Sequence, residues 1–302
     1  MLTQSSTLKS LLILGSSGKL GSILSKKLKE SGYYVIGLDT KQSPSHEVDL
    51  FLQADIADPD ALSILSSHDF DALIIVVPSS MNEIVVNNVV IPYGKDRLII
   101  DLLSEKYGFE QLINRAVDGV EHIGAHLLFA PTVRWEGQNV LVTPRNIVDI
   151  RALKFIHQLE AWGSVVHYCD PIEHDQLMGL IQVTTHAAII SYAQLLVNQQ
   201  FDFKLLNAVS TPASRVMWAM IARMISNDPS VYWEIQINNI FAQDARSQVA
   251  DSIRKLDEFV RNGDKRSFDT IFDKLKSMFN SDLEEYKQLA DELYNHKIQK
   301  DK

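Results

Sequence analysis

Three polar side chains, Asp175, Gln182 and His186, lie in a segment that is otherwise apolar up to Val197. At about 100° per residue, a helix places Gln182 about 20° to one side of Asp175 and His186 about 20° to the other. The sequence therefore predicts one long buried helix with a polar stripe roughly 16 Å long. Buried polar groups cost free energy unless they have partners. The stripe is thus expected to face either a polar site or a partner helix.

Further polar residues follow short apolar runs that predict strands. Ser104 and Lys106 come after one such run, and His126 lies at another. Ligands of open α/β sheets bind at the carboxyl ends of the strands, so these three side chains are expected to converge there. Arg215 and Arg223 occur in a second apolar helical segment later in the chain.

A glycine-containing loop follows the first predicted strand. In the dinucleotide-binding pattern G-x-G-x-x-G, Gly18 and Gly21 occupy the second and third positions, Ser16 stands at the first, and Gly15 lies one place earlier. Such a loop turns tightly and directs helix N–H groups at a pyrophosphate. The predicted cofactor-binding residues are Gly15, Ser16, Ser17, Gly18, Lys19, Leu20, Gly21, Asp39, Val77 and Pro78.

An acidic residue, Asp39, ends the second predicted strand. A carboxylate at this point accepts hydrogen bonds from the adenosine ribose and repels a 2′-phosphate, which favours NAD over NADP. Strand, loop, helix, strand and acid occur in the order of a dinucleotide-binding unit, so we predict NAD as the cofactor. Ser16 keeps open the alternative of a Rossmann-like sheet without a ligand.

The elements that must position these residues fall into two classes. Short apolar runs alternate with helical stretches up to about residue 170, and beyond it the pattern is helical. This order predicts an α/β Rossmann-type domain with a doubly wound parallel sheet over residues 1–170, followed by an all-α domain over 171–302. The predicted strands are Leu11–Leu14, Tyr33–Leu38, Ala72–Val77, Leu98–Ile100, His122–Phe129, Asn139–Thr143 and Val165–Tyr168, and a helix is predicted over Ile147–Trp162.

Composition excludes several classes of protein. The chain has 302 residues, a net charge of −9 and no basic run, which argues against a nucleic-acid partner. Cys169 is the only cysteine, so no intrachain disulfide can form. The N-terminus lacks the layout of a signal peptide, and we expect a cytoplasmic protein. No metal site is predicted, because no histidine shows a metal-ligand spacing.

The apolar segment Leu177–Val197 has the length of a membrane span. Its Gln182, His186 and Gln194, and the lack of flanking basic residues, argue against that interpretation. A buried or dimer-forming helix is the favoured prediction.

These motifs resemble the prephenate dehydrogenase family of tyrosine biosynthesis, over nearly the whole chain after the first ten residues. The most specific part is the helix that carries the polar stripe. The matching segments are Glu173-His-Asp-Gln-x-Met-x-x-Ile-Gln-x-x-x-His186, Ser210-Thr-Pro with Arg215 and Arg223, Asp228-Pro229 with Tyr232, Asp101-x-x-Ser104-x-Lys106, and Gly124-x-His126-x-x-Phe129-x-Pro131. The family fold, a Rossmann domain followed by a helical dimerisation domain, agrees with the pattern of elements.

The resemblance implies an oxidative decarboxylation. The substrate is a cyclohexadienyl ring with a hydroxyl at one end and a carboxylate at the other; NAD⁺ takes a hydride, CO₂ leaves and the ring becomes aromatic. His126 would be the general base, because neutral imidazole has a pKa near the working pH. Ser104 would hydrogen-bond His126 and hold its orientation.

The resemblance also implies substrate-binding residues. Arg223 would clamp a substrate carboxylate with its guanidinium fork. His186 would line the pocket, with Gln182 assisting. Lys106 would add positive potential for a dianionic substrate, whereas Arg215 is interpreted as structural, through a salt bridge in the helical domain.

Other residues are interpreted as structural or as departures from the family. His174 and Asp175 are taken as structural, with Asp175 capping the start of its own helix. His122 and His157 show no partner in the sequence. Leu127 and Ala130 replace the family's Pro and Gly, and Arg134 and Trp135 could contribute to an altered pocket.

Two functions from different classes remain at this point. The first is an NAD-dependent prephenate dehydrogenase, or the same chemistry on arogenate or 4-amino-4-deoxyprephenate, acting as a homodimer. The second is a dimeric NAD- or ligand-binding member whose active site has drifted. Ser104, His126, His186 and Arg223 favour the enzyme, and Ser16, Leu127 and Ala130 favour divergence.

Overall fold

A computed structural model describes residues 8–41, 47–130, 133–144 and 149–295. The chain forms two compact units. The first comprises the chain up to Met178 together with Ile237–Ile240, and the second comprises Gly179–Gln236 and the chain from Phe241. The sequence predicted a boundary at residue 170.

The first unit is built on an eight-stranded sheet in the order β3-β2-β1-β4-β5-β6-β7-β8. The strands are β1 Ser10–Leu14, β2 Tyr34–Asp39, β3 Leu50–Gln53, β4 Ala72–Ile75, β5 Leu98–Asp101, β6 Glu121–Leu127, β7 Asn139–Pro144 and β8 Val165–Tyr168. Strands β1 to β6 are parallel, which confirms the Rossmann-type prediction. The sheet departs from the predicted parallel arrangement only at its end, where β7 runs antiparallel to β6 and β8 follows the direction of β7.

The apolar runs form strands because both faces of the sheet are covered. Alternate residues of β1 enter opposite cores: Leu11 and Ile13 pack on one face, and Leu12 and Leu14 on the other. All four are fully buried, as expected for a central strand of a parallel sheet. The covering helices are α1 Lys19–Glu30, α2 Asn82–Val85, α3 Ile91–Tyr93, α4 Tyr107–Ala116, α5 Ile150–Ala161 and α6 Pro171–Met178, with a π-helical turn Val86–Val90 between α2 and α3 and a 3-10 helix Ala61–Ser67.

The long helix predicted after residue 171 differs from the expectation in two ways. Helix α6 ends at Met178, a π-helical turn occupies Gly179–Val183, and α7 spans Thr184–Asn198. A π turn does not keep the 100° spacing of an α-helix, so Asp175 and Gln182 do not belong to one continuous stripe. Asp175 lies in the first unit, and Gln182 and His186 lie in the second.

The same segment is also not buried in the chain. Leu180 is 64% exposed and Val197 is 78% exposed. By length and composition alone, Pro171–Asn198 is apolar enough to cross a membrane, and only 11% of its most apolar window is buried. The prediction of a long buried helix is therefore wrong for the second unit.

The second unit is helical throughout its described residues. Its helices are α7, α8 Phe203–Ala208, α9 Pro212–Ile225, α10 Pro229–Asn238, α11 Ala242–Arg261, α12 Lys265–Phe279 and α13 Leu283–Asn295, the last residues of α10 belonging to the first unit. Thr211 and Ser214 form a capping box at the start of α9, and Asp264 caps α12. Val183, Ile235, Ala242 and Ala245 form a small buried core.

Candidate active site

The loop after β1 makes its tight turn at Gly15. This residue has a φ of +83°, and a Cβ there would lie 2.5 Å from the Val76 carbonyl oxygen. A Cβ on Gly21 would lie 2.0 Å from the Gly15 carbonyl oxygen. Only glycine satisfies both positions. The loop is therefore built with the backbone proximity that a bound pyrophosphate requires.

Ser16 does not disrupt this loop. Its side chain is fully buried against β2, where a Cβ on Gly37 would come within 2.6 Å of the Ser16 Oγ. Because Gly15 already supplies the left-handed turn, the first glycine of the pattern is present one position early. The departure that the sequence suggested is thus accommodated by Gly37 in the neighbouring strand.

A cleft of about 260 Å³ opens beside this loop at the carboxyl ends of β1, β2 and β4. Five predicted cofactor residues line it, namely Gly15, Gly18, Asp39, Val77 and Pro78. Gly18 is the N-cap of α1 and provides no side-chain cap. The first turn of α1 thus offers backbone N–H groups to an anion.

The Asp39 carboxylate is held at the rim of this cleft. Its Oδ2 accepts a hydrogen bond from the Ser17 N–H at 3.0 Å, and its Oδ1 accepts one from the Lys41 N–H at 3.0 Å. Thr40 Oγ1 also donates to Oδ1 at 3.5 Å, so Oδ2 is the oxygen that keeps a second lone pair for a ribose hydroxyl. Asp55 lines the same cleft and adds negative charge. These residues fit the adenosine end of a bound dinucleotide.

A second cavity, of about 450 Å³, lies next to the buried carboxyl of Glu105. Glu105 accepts hydrogen bonds from Ser79 Oγ at 2.9 Å and Asn82 Nδ2 at 3.1 Å. Burial raises the pKa of Glu105 above its ordinary value. Glu105 thus connects the segment after β5 to the segment after β4 through hydrogen bonds. The sequence analysis did not predict this connection, because it assigned no role to Glu105.

His126 is buried on β6 and ends a chain of three hydrogen-bonded side chains. Its Nδ1 lies 3.0 Å from Nε2 of His174, and the Nδ1 of His174 lies 2.8 Å from Oδ1 of Asp175. His174 and Asp175 are fully buried on α6. We call these three residues the open cluster. It brings His126 together with a pair that the sequence assigned a structural role alone.

Asp175 also holds the first turn of another helix. Its Oδ1 accepts a hydrogen bond from the Lys106 N–H at 2.9 Å, and its Oδ2 accepts one from the Tyr107 N–H at 3.2 Å. The prediction that Asp175 caps its own helix is wrong, because Asp170 accepts from the Ile172 and Glu173 N–H groups there. Asp175 instead caps α4 through these two hydrogen bonds.

Burial keeps both histidines of the open cluster neutral. It lowers the pKa of His126 well below the ordinary value, and His174 and the Lys106 ammonium lower it further. Burial also lowers the pKa of His174, although its hydrogen bond to Asp175 opposes that shift. A neutral imidazole at this point can accept a proton.

Lys106 does not have the substrate-binding role predicted for it. Its side chain is 1% exposed, and its Nζ donates to Oδ1 of Asp101 and to the Leu103 carbonyl oxygen at 2.8 Å. Oδ2 of Asp101 lies 2.8 Å from Nε2 of His122, so the expectation that His122 has no partner is also wrong. We call Asp101, Lys106 and His122 the closed cluster, because its charged groups are satisfied within it.

Ser104 does not hydrogen-bond His126 in the described part of the chain. Its Oγ lies 3.5 Å from Oε2 of Glu105, whereas His126 Nδ1 is paired with His174. The predicted orienting contact is therefore replaced by one from α6. Sequence reasoning missed His174 because it lies 48 residues from His126.

The altered-pocket hypothesis for Trp135 is also corrected. Trp135 is buried in the core, edge-on to the rings of Phe129 and Trp162. Leu127 is buried at the end of β6, next to His126. Pro131 of the sequence motif lies outside the described residues.

The second unit carries the remaining predicted substrate residues. His186 packs edge-on to Tyr232 with ring centroids 5.2 Å apart, and its buried Nδ1 has no hydrogen-bond partner among the described residues. Burial lowers the pKa of His186. Gln182 lies in the π turn, and Arg223 is exposed on α9. Among the described residues neither Arg223 nor Arg215 forms an ion pair, so the salt bridge predicted for Arg215 is not present.

Two family models match the chain. Residues 170–274 match the prephenate dehydrogenase dimerization domain, and residues 11–91 match the NAD dependent epimerase/dehydratase family. The second match spans the glycine loop and Asp39. The two matches agree with the division into a Rossmann-type unit and a helical unit.

Curated proteins align over most of the chain. A 4-amino-4-deoxyprephenate dehydrogenase from Streptomyces pristinaespiralis is 26% identical over 94% of this chain and 95% of its own length. A probable arogenate/prephenate dehydrogenase from Methanocaldococcus jannaschii is 27% identical over 89% of this chain and 61% of its own length.

Solved structures share the fold. The prephenate dehydrogenase of Aquifex aeolicus, determined with hydroxyphenyl propionate and NAD⁺, has a TM-score of 0.70 at 19% identity, covering 90% of this chain and 97% of that one. Synechocystis arogenate dehydrogenase has a TM-score of 0.63 at 18% identity, covering 92% and 99%. The dimerization-domain match and the curated relatives together relate this chain to the prephenate/arogenate dehydrogenase family.

Proposed function

We propose that this protein is an NAD-dependent prephenate dehydrogenase that converts prephenate to 4-hydroxyphenylpyruvate by oxidative decarboxylation. The observation that carries the proposal is His126, a neutral buried imidazole near the carboxyl end of β6. The dinucleotide cleft opens at the carboxyl ends of β1, β2 and β4, which belong to the same parallel part of the sheet. A base and a dinucleotide site at one sheet edge are what this reaction needs.

The cleft residues fit a bound NAD. Gly15 and Gly18 would lie against the pyrophosphate, and Asp39 would accept hydrogen bonds from the adenosine ribose. Bound NAD⁺ supplies a hydride acceptor for the ring carbon that carries the hydroxyl. Asp39 supports NAD over NADP, because a fixed carboxylate repels a 2′-phosphate.

His126 is the proposed general base. Its lowered pKa leaves it neutral at working pH, so it can accept the proton of the substrate hydroxyl. Removal of that proton lets the hydroxyl carbon become a carbonyl as it is oxidised. Loss of the ring carboxylate as CO₂ then sends its bonding electrons through the ring to the carbonyl oxygen. The ring becomes aromatic as a phenolate, which takes up a proton to give the phenol. The barrier for oxidation therefore depends on whether one imidazole nitrogen of His126 is free to accept a proton.

The helical unit supplies the proposed substrate ligands. The guanidinium of Arg223 is exposed and forms no ion pair with a described residue, which suits a carboxylate ligand. His186 holds an unpartnered buried Nδ1 and is proposed to contact the substrate, with Gln182 assisting. Ser104, three residues after β5, stays a proposed site residue, although its hydroxyl lies near Glu105 and not near His126.

We also propose that the protein is a cytoplasmic homodimer joined through its helical unit. Many large apolar side chains of that unit are exposed in the single chain, including Leu180, Val197, Ile225 and Trp233. Apolar surface of this extent is typical of an obligate interface. The membrane interpretation of Pro171–Asn198 is disfavoured because the dimerization-domain match covers the same residues.

The test is oxidation of each candidate substrate by the purified protein. NADH formation is followed by absorbance with prephenate, arogenate and 4-amino-4-deoxyprephenate in turn, each with NAD⁺ and with NADP⁺. We expect activity with prephenate and NAD⁺, and we expect Asp39→Ala to lose about 10- to 100-fold of the preference for NAD⁺. If no substrate is oxidised at high enzyme concentration while NAD⁺ still binds, the drifted ligand-binding alternative replaces this proposal.

A second substrate, 4-amino-4-deoxyprephenate, is favoured by one pair of observations. The relative from Streptomyces pristinaespiralis bears that name and aligns over nearly the whole of both chains. Leu127, adjacent to His126 in β6, departs from the family motif. A higher kcat/KM with the amino compound than with prephenate would assign this substrate instead.

A further inference from the structure

The open cluster runs from Asp175, which is held at the N-terminus of α4, through His174 to His126. The Lys106 and Tyr107 N–H groups both donate to Asp175, so the Asp175 carboxylate is an acceptor that two backbone donors hold in place. His174 Nδ1 lies 2.8 Å from the same carboxylate. An ionised carboxylate has no proton to give. His174 therefore carries its proton on Nδ1 and donates it to Asp175.

The remaining proton positions follow in sequence. A neutral His174 with a proton on Nδ1 has a lone pair on Nε2. Because that Nε2 lies 3.0 Å from Nδ1 of His126, the His126 Nδ1 must donate the proton of this bond. A neutral His126 with a proton on Nδ1 then has its lone pair on Nε2. No described residue forms a hydrogen bond with that Nε2.

We propose that His174 and Asp175 are positioning residues that hold His126 as its Nδ1–H tautomer, with the proton-accepting lone pair on Nε2. The catalytic part of this inference rests on the proposed function, in which His126 is the base. The opposite tautomer would place the lone pairs of His126 Nδ1 and His174 Nε2 against each other. A carboxylate that accepts from an imidazole fixes the tautomer of that imidazole in the same way in hydrolytic triads.

The surrounding charges keep the cluster neutral. The Lys106 ammonium lowers the pKa of both histidines, and Asp101, which faces them from β5, neutralises that ammonium within the closed cluster. Burial lowers the pKa of both imidazoles, which favours their neutral forms before the reaction. The proton arrangement is therefore that of two neutral rings and one carboxylate.

Two substitutions at His174 separate positioning from packing. His174→Phe keeps a ring but removes the acceptor for His126 Nδ1–H, and we expect kcat to fall about 10- to 100-fold with little change in KM. His174→Gln restores an acceptor oxygen at the position of Nε2, and we expect kcat within about threefold of the wild type. Equal kcat in the wild type and a folded His174→Phe variant would overturn the proposal, as would equal losses in both variants.

The matched control is His157→Gln, on the exposed side of α5, which we expect to keep wild-type kcat, KM and melting temperature. Circular dichroism and melting temperature report folding of all variants.

A spectroscopic measurement decides the proposal without any turnover. Nitrogen-15 NMR of histidine-labelled wild-type protein, with His126 assigned by loss of its signals in His126→Asn, distinguishes protonated from unprotonated ring nitrogens. We expect protonated Nδ1 and unprotonated Nε2 in His126 at neutral pH. The reverse pattern overturns the proposal. Because no substrate is needed, this result stands even if the proposed reaction fails, and it also applies if the His174 variants do not fold.

Discussion

Two buried polar clusters lie on one face of β6 and differ in how they end. His122 and His126 point to the same face because they are four residues apart in a strand, with Gly124 between them. The closed cluster joins His122 to Asp101 and Lys106, and the open cluster joins His126 to His174 and Asp175. Lys106 touches both, through its ammonium and its backbone N–H.

The difference is in what each cluster leaves unpaired. In the closed cluster the ammonium is matched by a carboxylate, whose other oxygen pairs with His122. In the open cluster the chain of bonds stops at Nε2 of His126, which has no hydrogen bond to a described residue. A buried polar network that is complete stabilises a fold, whereas one with a free end at a sheet edge can act on a ligand.

The strongest test of this comparison is removal of the free end. His126→Asn should lower kcat on the order of 10²–10⁴-fold, because the general base is lost while the fold keeps a polar side chain at the position. Steady-state kinetics measures this with whichever candidate substrate the oxidation assay selects, and KM should change little. A variant that retains more than about a tenth of wild-type kcat would mean that another group accepts the proton.

Removal of the closed cluster's cation should act on stability instead. Lys106→Met leaves Asp101 as an uncompensated buried charge, and we expect a loss of about 3–5 kcal/mol in the free energy of unfolding. Denaturant unfolding measures it. The matched control is Lys26→Met, whose exposed pair with Glu30 should contribute only about 0.3–0.5 kcal/mol. Similar losses in the two variants would show that the closed cluster is not the stabilising one.

A third change crowds the closed cluster without removing a charge. A Cβ on Gly124 would lie 2.4 Å from Thr143 Oγ1 and 2.6 Å from Lys106 Cδ. Gly124→Ala should therefore cost about 1–3 kcal/mol of unfolding free energy by overpacking. Thermal unfolding checks it, with Gly108→Ala as a control at which the added side chain meets open space. A Gly124→Ala protein as stable as wild type would mean that Lys106 can move aside at little cost.

The sequence predicted the fold better than the site, for a physical reason. Runs such as Leu11–Leu14 are apolar at every position because both faces of a parallel sheet are buried, and this pattern is local. The strand Leu50–Gln53 was missed because only Leu52 of its four residues is buried. The site instead depends on contacts between distant segments, such as His126 with His174 and Lys106 with Asp175.

Helical periodicity failed at one identifiable place. The stripe from Asp175 to His186 assumed a constant 100° per residue, and the π turn Gly179–Val183 breaks that assumption. Family resemblance located His126 correctly on β6 but assigned its orientation to Ser104, since a motif records residue types and not their partners. Which imidazole nitrogen is paired became visible only with the packing of α6 against the start of α4.

The last expected effect is a difference in the pH range over which each cluster loses stability. Burial lowers the pKa of His126, and it also lowers the pKa of His174. Below about pH 6.5 the unfolded chain therefore binds protons that the folded chain does not. The free energy of unfolding should therefore fall as pH drops from 7 to 5, by up to about 1.4 kcal/mol per pH unit for each histidine.

Asp101 titrates in a different range. Burial alone would raise the pKa of its carboxyl, but the Lys106 ammonium and the His122 hydrogen bond hold it below the ordinary value, so its contribution is lost only in more acidic solution. Denaturant unfolding at pH 7, 6 and 5 should accordingly give a shallower pH slope for His126→Asn than for wild type. His186, whose pKa burial also lowers, contributes equally to both proteins and cancels in the difference. Equal slopes would mean that His126 is not held neutral by the fold, which would remove the physical basis for its role as a base.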